Sequence, residues 1–159
     1  AVKTLNLYYD LKFDKNLLLQ IIEVRRIFEP EIAKLAAVNR TDEDLAELSD
    51  VLIEFEQCNP DNTQMEADLD NRFHLSVTKS THNPIVQVSM EPIYSLLPRM
   101  RNYIYGNIEG EKENTLKSHK ELLKAIQDGN GNQAYLITKD QLLRTQGIYE
   151  NHMKPGIIS

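Results

Sequence analysis

Apolar residues recur every three or four positions in segment after segment of this chain, and nowhere does a two-residue alternation run long enough to build a sheet. Leu17, Leu18, Ile21, Ile22, Val24 and Phe28 form one such stripe, and Ala67, Asp70, His74 and Val77 form another. A helix can bury such a stripe only against other helices, so the pattern predicts an all-α fold. Six glycines and no tryptophan in 159 residues, with Leu, Ile, Glu, Lys, Asn and Asp prominent, favour capped helices over a β-sandwich.

The breaks between stripes carry end signals. Asp14 offers an N-cap to the first helix, and residues 1–14 before it read as a linker from a DNA-binding domain absent from this chain; the folded domain is expected over 15–155. Pro30 either starts a second helix over Glu31 to Val38 or kinks the first. Thr41 with Asp44 predicts a capping box for a helix through Glu56, ended by Asn59-Pro60-Asp61. A helix over about Thr63 to Ser80 follows. Asn83-Pro84 then opens a long helix to about Tyr105, which Pro92 and Pro98 should bend. Gly106 to Asn114 is expected to be a mobile loop, followed by helices over Thr115 to Asp128 and Gln133 to Asn151. The total is six or seven helices.

Charge and cysteine content narrow the function. A formal net charge of −6 gives no positive field for displacing counterions from nucleic acid, so direct DNA binding by this segment is not expected. Cys58, the single cysteine, excludes an intrachain disulfide. No apolar run approaches ~20 residues and no signal-peptide pattern opens the chain, so a cytoplasmic protein without membrane association is expected.

Three residues bear metal-capable chemistry on inward stripes. Asp70 and His74, one turn apart on one helix, can share a single ion. His119 lies in a stripe of Leu116, Leu123 and Ile126 on another helix. Each alone is commonly a satisfied structural group. Together, a carboxylate and two neutral imidazoles in an apolar interior suit a shared Zn²⁺, Ni²⁺ or Mn²⁺ ion. Arg25 and Arg101 stand among apolar neighbours and are candidates for binding a carboxylate through the guanidinium fork. His82 and His152 receive no site role, and Arg26 and Arg99 are expected on the surface.

The run Glu23-Val24-Arg25-Arg26-Ile27-Phe28-Glu29-Pro30 followed by Lys34-Leu35-Ala36-Ala37, the segment Asp70-Asn71-Arg72-Phe73-His74 with His82-Asn83-Pro84, and His119-x-x-Leu122-Leu123-x-Ala125-Ile126 with Ala134 occur in this order. They resemble the C-terminal effector-binding (FCD-type) domain of FadR-subfamily GntR transcription regulators, over roughly Leu17 to Glu150. The resemblance implies an antiparallel helical bundle with a central cavity and a metal held by one Asp and three His. It also implies a carboxylate metabolite bound against the metal, and a homodimer that presents an upstream winged-helix domain to DNA. It places Arg25 on the pocket helix. One position departs: the fourth ligand, a His seven residues after the Ala matched by Ala134, falls on Gln141. An amide oxygen is a poorer transition-metal ligand than imidazole, which weakens the expected site.

Two functions follow as expectations: a ligand-sensing, dimerising domain of a GntR/FadR-type regulator, with no catalytic residues, or a helical metal-dependent enzyme acting on a small organic acid. The second lacks a good general base. Glu66, one turn before Asp70, is the only nearby acid, and no nucleophile motif or phosphate-cradling loop is present.

Overall fold

The N-terminal stripe forms one uninterrupted helix in the computed structural model, which describes residues 15–152. Helix α1 spans Lys15–Asn39 and continues through the buried Pro30. The missing N–H of a mid-helix proline usually breaks or kinks the helix. Here the surrounding turns bury Ile21, Ile22, Ile32, Ala33, Ala36 and Ala37, and that burial holds the axis. Of the two readings of Pro30, continuation is the one realised. The proposed linker 1–14 lies outside the described residues.

Six further helices follow: α2 Asp42–Gln57, α3 Thr63–Lys79, α4 Pro84–Tyr94, α5 Leu97–Asn107, α6 Glu111–Gln127 and α7 Gly131–His152. No strand occurs among the described residues. The caps predicted at Thr41 and Asn83 are present, and Asp14 lies outside the described residues. Thr41 Oγ1 accepts from the Asp44 N–H while an Asp44 oxygen accepts from the Thr41 N–H at 2.8 Å, and Asn83 Oδ1 accepts from Ile85 and Val86 ahead of Pro84. His82 was given no role by its sequence position. It adopts a left-handed φ of 50° and its Nε2 meets Asp44 Oδ2 at 2.6 Å, tying the α3–α4 turn to the cap of α2.

Two expectations are corrected. The long helix over 84–105 is two helices separated at Ser95 and Leu96, because Pro98 fits the first turn of a new helix better than the interior of an old one. The expected loop 106–114 shrinks to a short turn, since α5 reaches Asn107 and α6 begins at Glu111 after Gly110 takes a left-handed φ of 75°. Glu111 and Glu113 in the first turn of α6 suit the positive end of its dipole.

Helix α7 lies along α1, while α3 packs among α2, α4 and α5, and α6 closes the bundle against α2 and α7. The core joins Leu18, Leu48, Phe73, Leu97, Leu122 and Leu142 from six of the helices. At the α1–α7 contact, a Cβ at Gly131 would stand 3.2 Å from the Lys34 carbonyl and 3.0 Å from its Cγ. Gly147, further along α7, has nothing within 4 Å of the same position. Urea denaturation should therefore separate the two: Gly147→Ala gains about 0.5–1 kcal/mol from the helix term, whereas Gly131→Ala loses stability because α1 must move away.

Candidate metal and effector site

Asp70 is the point on which the interior polar residues converge. Its helix, α3, turns Ala67, Asp70, His74 and Val77 inward, as their spacing predicts. Asp70 Oδ1 lies 2.8 Å from His119 Nε2 of α6 and 3.3 Å from His74 Nε2 one turn along α3. Asp70 Oδ2 accepts from Arg101 Nε at 2.9 Å and from the Tyr105 hydroxyl at 2.8 Å, both on α5. One carboxylate thus binds three helices together.

Asp70, His74, Arg101 and His119 are buried, His119 fully so, and Tyr105 is partly buried. The imidazole of His119 stacks on Phe73, with ring centroids 4.2 Å apart, and meets the edge of His74 at 5.0 Å. One potential ligand atom from each of Asp70, His74 and His119 falls within a sphere of mutual distances under 4.8 Å. Such a trio of buried hard and borderline donors can hold a divalent ion. Gln141 of α7 stands beyond it, with its side-chain nitrogen 3.4 Å from His119 Nδ1.

The arginines divide. Arg101 is bonded through Nε to Asp70 and through Nη1 to Asn71 Oδ1, and its Nη2 is buried with no hydrogen-bond partner. Arg25 commits the side-on edge of its guanidinium to Glu29, with Nε–Oε1 at 2.6 Å and Nη2–Oε2 at 3.2 Å. Glu29 Oε2 in turn lies 3.6 Å from His74 Nδ1. Glu29 and Tyr105 were not singled out by sequence, although each sits four residues after an inward arginine and so shares its helix face. Glu66, the general-base candidate of the enzyme reading, pairs instead with Lys112 at 2.9 Å.

The electrostatics follow from burial and pairing. Burial raises the Asp70 carboxyl, but the Arg101 charge and the hydrogen bonds from His119 and His74 outweigh it, leaving Asp70 well below the usual carboxylate range. Glu29 is lowered in the same way, with Arg25 and His74 overcoming burial. Burial and the nearby Arg101 charge push His74 down to about 4, against the opposing pull of Asp70 and Glu29. His74 is therefore a neutral imidazole at pH 7. A narrow cavity of about 30 Å³, room for roughly one water, opens beside the cluster between Arg25, Asp70, His74, Arg101, Gln141 and Tyr149.

Residues 20–143 match the model of the FCD domain. The chain belongs to the FCD domain family. A galactonate operon transcriptional repressor of Escherichia coli (strain K12) is 35% identical over 123 residues, which is 77% of this chain and 53% of that protein. The HTH-type transcriptional regulator LutR of Bacillus subtilis (strain 168) is 25% identical over 142 residues, 87% of this chain and 64% of that protein. Both relatives are transcription regulators and not enzymes, and this FCD chain spans about half to two thirds of their length. Among solved structures, Streptococcus agalactiae GntR superposes with a TM-score of 0.73 at 22% identity, covering 89% of this chain and 63% of that one. McbR/YncC of E. coli gives 0.70 at 22%, covering 84% and 67%. At that identity the two share the fold. Among the described residues of the FCD domain, no helix is long and apolar enough to cross a membrane.

The depressed His74 value fixes a pH dependence. Its folded pKa lies below the unfolded 6.5, so the unfolded chain takes up the proton first, and stability falls as pH drops from about 6.5 toward 4. The drop between pH 7 and pH 5 should be about 2 kcal/mol from this group. Asp70 and Glu29 add their own loss only as pH falls through and below their unfolded values, 3.8 and 4.5. Denaturation of the His74→Gln variant at pH 7 and pH 5 should show most of that slope gone; an unchanged slope would mean His74 is protonated in the fold.

Proposed function

We propose that this chain is the effector-sensing and dimerising domain of a GntR-type transcription regulator, whose winged-helix DNA-binding domain precedes residue 15 in the whole protein. The carrying observation is the buried convergence of Asp70, His74 and His119. These three residues hold a divalent transition metal, Zn²⁺, Ni²⁺ or Mn²⁺, and a small carboxylate metabolite binds beside it. When bound, the ion supplies a Lewis-acidic point of attachment for the carboxylate.

Charge balance supports pairing the two ligands. Arg25 and Arg101 carry two positive charges and Glu29 and Asp70 two negative ones, with His74 neutral. The cluster alone is thus close to neutral. A divalent cation added to so dry a place leaves an excess of positive charge, which an anion relieves. Arg101, with its unpartnered Nη2, is the better receiver of that anion; Arg25, also in the cavity lining, is occupied by Glu29.

Gln141 acts on His119 and only secondarily on the ion. Its amide faces Nδ1, the ring nitrogen turned away from Asp70, and its Oε1 is buried without a partner. Turned by half a rotation, the amide presents Oε1 to Nδ1–H and thereby leaves the Nε2 lone pair available to a metal. Glu29 stands in the same relation to His74, facing its Nδ1 at 3.6 Å. The protein thus carries three ligands with two orienting neighbours.

Binding draws α1, α3, α5, α6 and α7 into one arrangement, and a differential affinity worth about 1–3 kcal/mol suffices to switch a DNA-binding partner domain. A cytoplasmic homodimer is the corresponding assembly, since palindromic operators require twofold proteins. Equilibrium metal titration of purified, demetallated protein tests the ligand set. His74→Ala and His119→Ala should abolish stoichiometric binding, while Gln141→Ala should weaken it about 10- to 100-fold. Full retention in His74→Ala would overturn the site, and abolition in Gln141→Ala would make Gln141 a direct ligand.

Arg101→Lys keeps a charge beside Asp70 but removes the fork. In thermal-shift titrations of the metal-loaded protein with small carboxylates, it should raise the apparent dissociation constant about tenfold, roughly 1.4 kcal/mol. An unchanged response would move the anion to Arg25.

A further inference from the structure

We propose that Cys58 and Lys112 form a peroxide-sensitive modification site, in which the oxidised Cys58 sulfur is captured by the Lys112 amine as a covalent S–N link. The inference goes beyond the sensing role proposed above and needs neither the metal nor the acid. Cys58 follows the last turn of α2, Glu66 sits in the first turn of α3 and Lys112 in the first turn of α6. Lys112 Nζ lies 3.5 Å from Cys58 Sγ, 3.0 Å from the Cys58 carbonyl oxygen and 2.9 Å from Glu66 Oε1. One ammonium thus meets a thiol and a carboxylate from two other helix ends.

The neighbours of that ammonium equip the thiol for oxidation. The thiolate is the form that reacts with peroxide, and when the Cys58 thiol gives up the proton it now donates to the Phe55 carbonyl, the cation facing it is Lys112. Lys112 also stands over the Phe55 ring, 5.9 Å from its centroid, which keeps the amine beside the sulfur. Glu66 is 2% exposed, and its Oε1 faces the ammonium as an ion pair without an aligned hydrogen bond, so it has lone pairs free to take a proton. Cys58 retains 8% exposure and the Lys112 side chain 16%, an opening that admits hydrogen peroxide more readily than a bulky disulfide. The chain holds no second cysteine, so an oxidised Cys58 has no thiol partner within it, and the Lys112 amine is the nucleophile at hand.

In the first step the thiolate attacks peroxide: an S–O bond forms, the O–O bond breaks, hydroxide leaves and Cys58 becomes a sulfenic acid. Lys112 then passes a proton to Glu66, and its amine attacks the sulfur. The S–N bond forms, the S–O bond breaks, and the hydroxyl departs as water with the proton from Glu66. The nitrogen gives a second proton to solvent. Thiolate, ammonium and peroxide thus become a sulfenamide and two waters, with sulfur oxidised and peroxide reduced by two electrons. The link turns the 3.5 Å contact into a bond and removes the Lys112 charge that balances Glu66. It ties the first turn of α6, the helix that carries His119, to the end of α2.

The test is peptide mass mapping of the purified protein after brief exposure to a few equivalents of hydrogen peroxide. A peptide joined through Cys58 and Lys112 should appear about 2 Da lighter than its separate parts, resist trypsin after Lys112 and come apart with dithiothreitol. In Lys112→Arg, which keeps the charge and loses the amine, the joined peptide should vanish and a dimedone-trapped sulfenic acid should accumulate. Glu66→Gln should slow linking about tenfold or more without slowing loss of the free thiol, and an unchanged linking rate would overturn the part given to Glu66. If Cys58 in the unaltered chain stays a free thiol, or stops at sulfenic or sulfinic acid with Lys112 still cleaved by trypsin, the inference is overturned and Lys112 is only a cap on the end of α2. A joined peptide about 14 Da heavier would mean an S–O–N link and overturn the second step as written.

Discussion

Everything inside this bundle depends on keeping one ionised carboxylate out of water. Asp70 carries a charge in a nearly dry interior, and it does so only because Arg101, Tyr105, His119 and His74 surround it with donors. Such a charge left unpaired is costly, and breaking a buried pair by deleting one partner typically loses about 3–5 kcal/mol. The four partners lie on α3, α5 and α6, and His74 extends the network through Glu29 to Arg25 on α1. The site therefore serves as a polar joint between α1, α3, α5 and α6.

This gives a physical reason for a sensor to be built from buried polar groups. A filled apolar core offers little for a polar metabolite to bind differentially. A cluster of paired charges close to neutrality can offer a ligand one arrangement that it binds better than another. The FCD domain sits within relatives that regulate transcription, where a shift of a few kcal/mol between such arrangements is the needed output.

Much of this was legible in the sequence because helical periodicity reports facing directly. The 3-4-3 stripe of Ala67, Asp70, His74 and Val77 was enough to put a carboxylate and an imidazole inside, and the stripe through His119 brought the second imidazole. The capping signals at Thr41 and Asn83 fixed two helix starts because each satisfies otherwise unpaired backbone N–H groups. What escaped was pairing across space. Glu29 lay in a quoted motif without a role because nothing local shows that its partner is Arg25 and its neighbour His74. Tyr105 was hidden by taking the stretch after it as loop. Lys112 was hidden by the same reading, since two glycines and several charges look like a loop when the second glycine is in fact a left-handed turn before a helix. Pro30 left two readings open, a new helix or a continuation, because whether a helix survives an internal proline depends on burial that the local sequence does not show.

The most direct measurement of the central claim is anomalous diffraction from crystals of the demetallated protein soaked in Zn²⁺ or Ni²⁺. One strong peak is expected about 2.0–2.2 Å from the Nε2 atoms of His74 and His119 and from an Asp70 oxygen, with the Gln141 oxygen turned toward His119 Nδ1. A peak confined to exposed His82 or His152, with the Asp70 cluster still closed on itself, would contradict it.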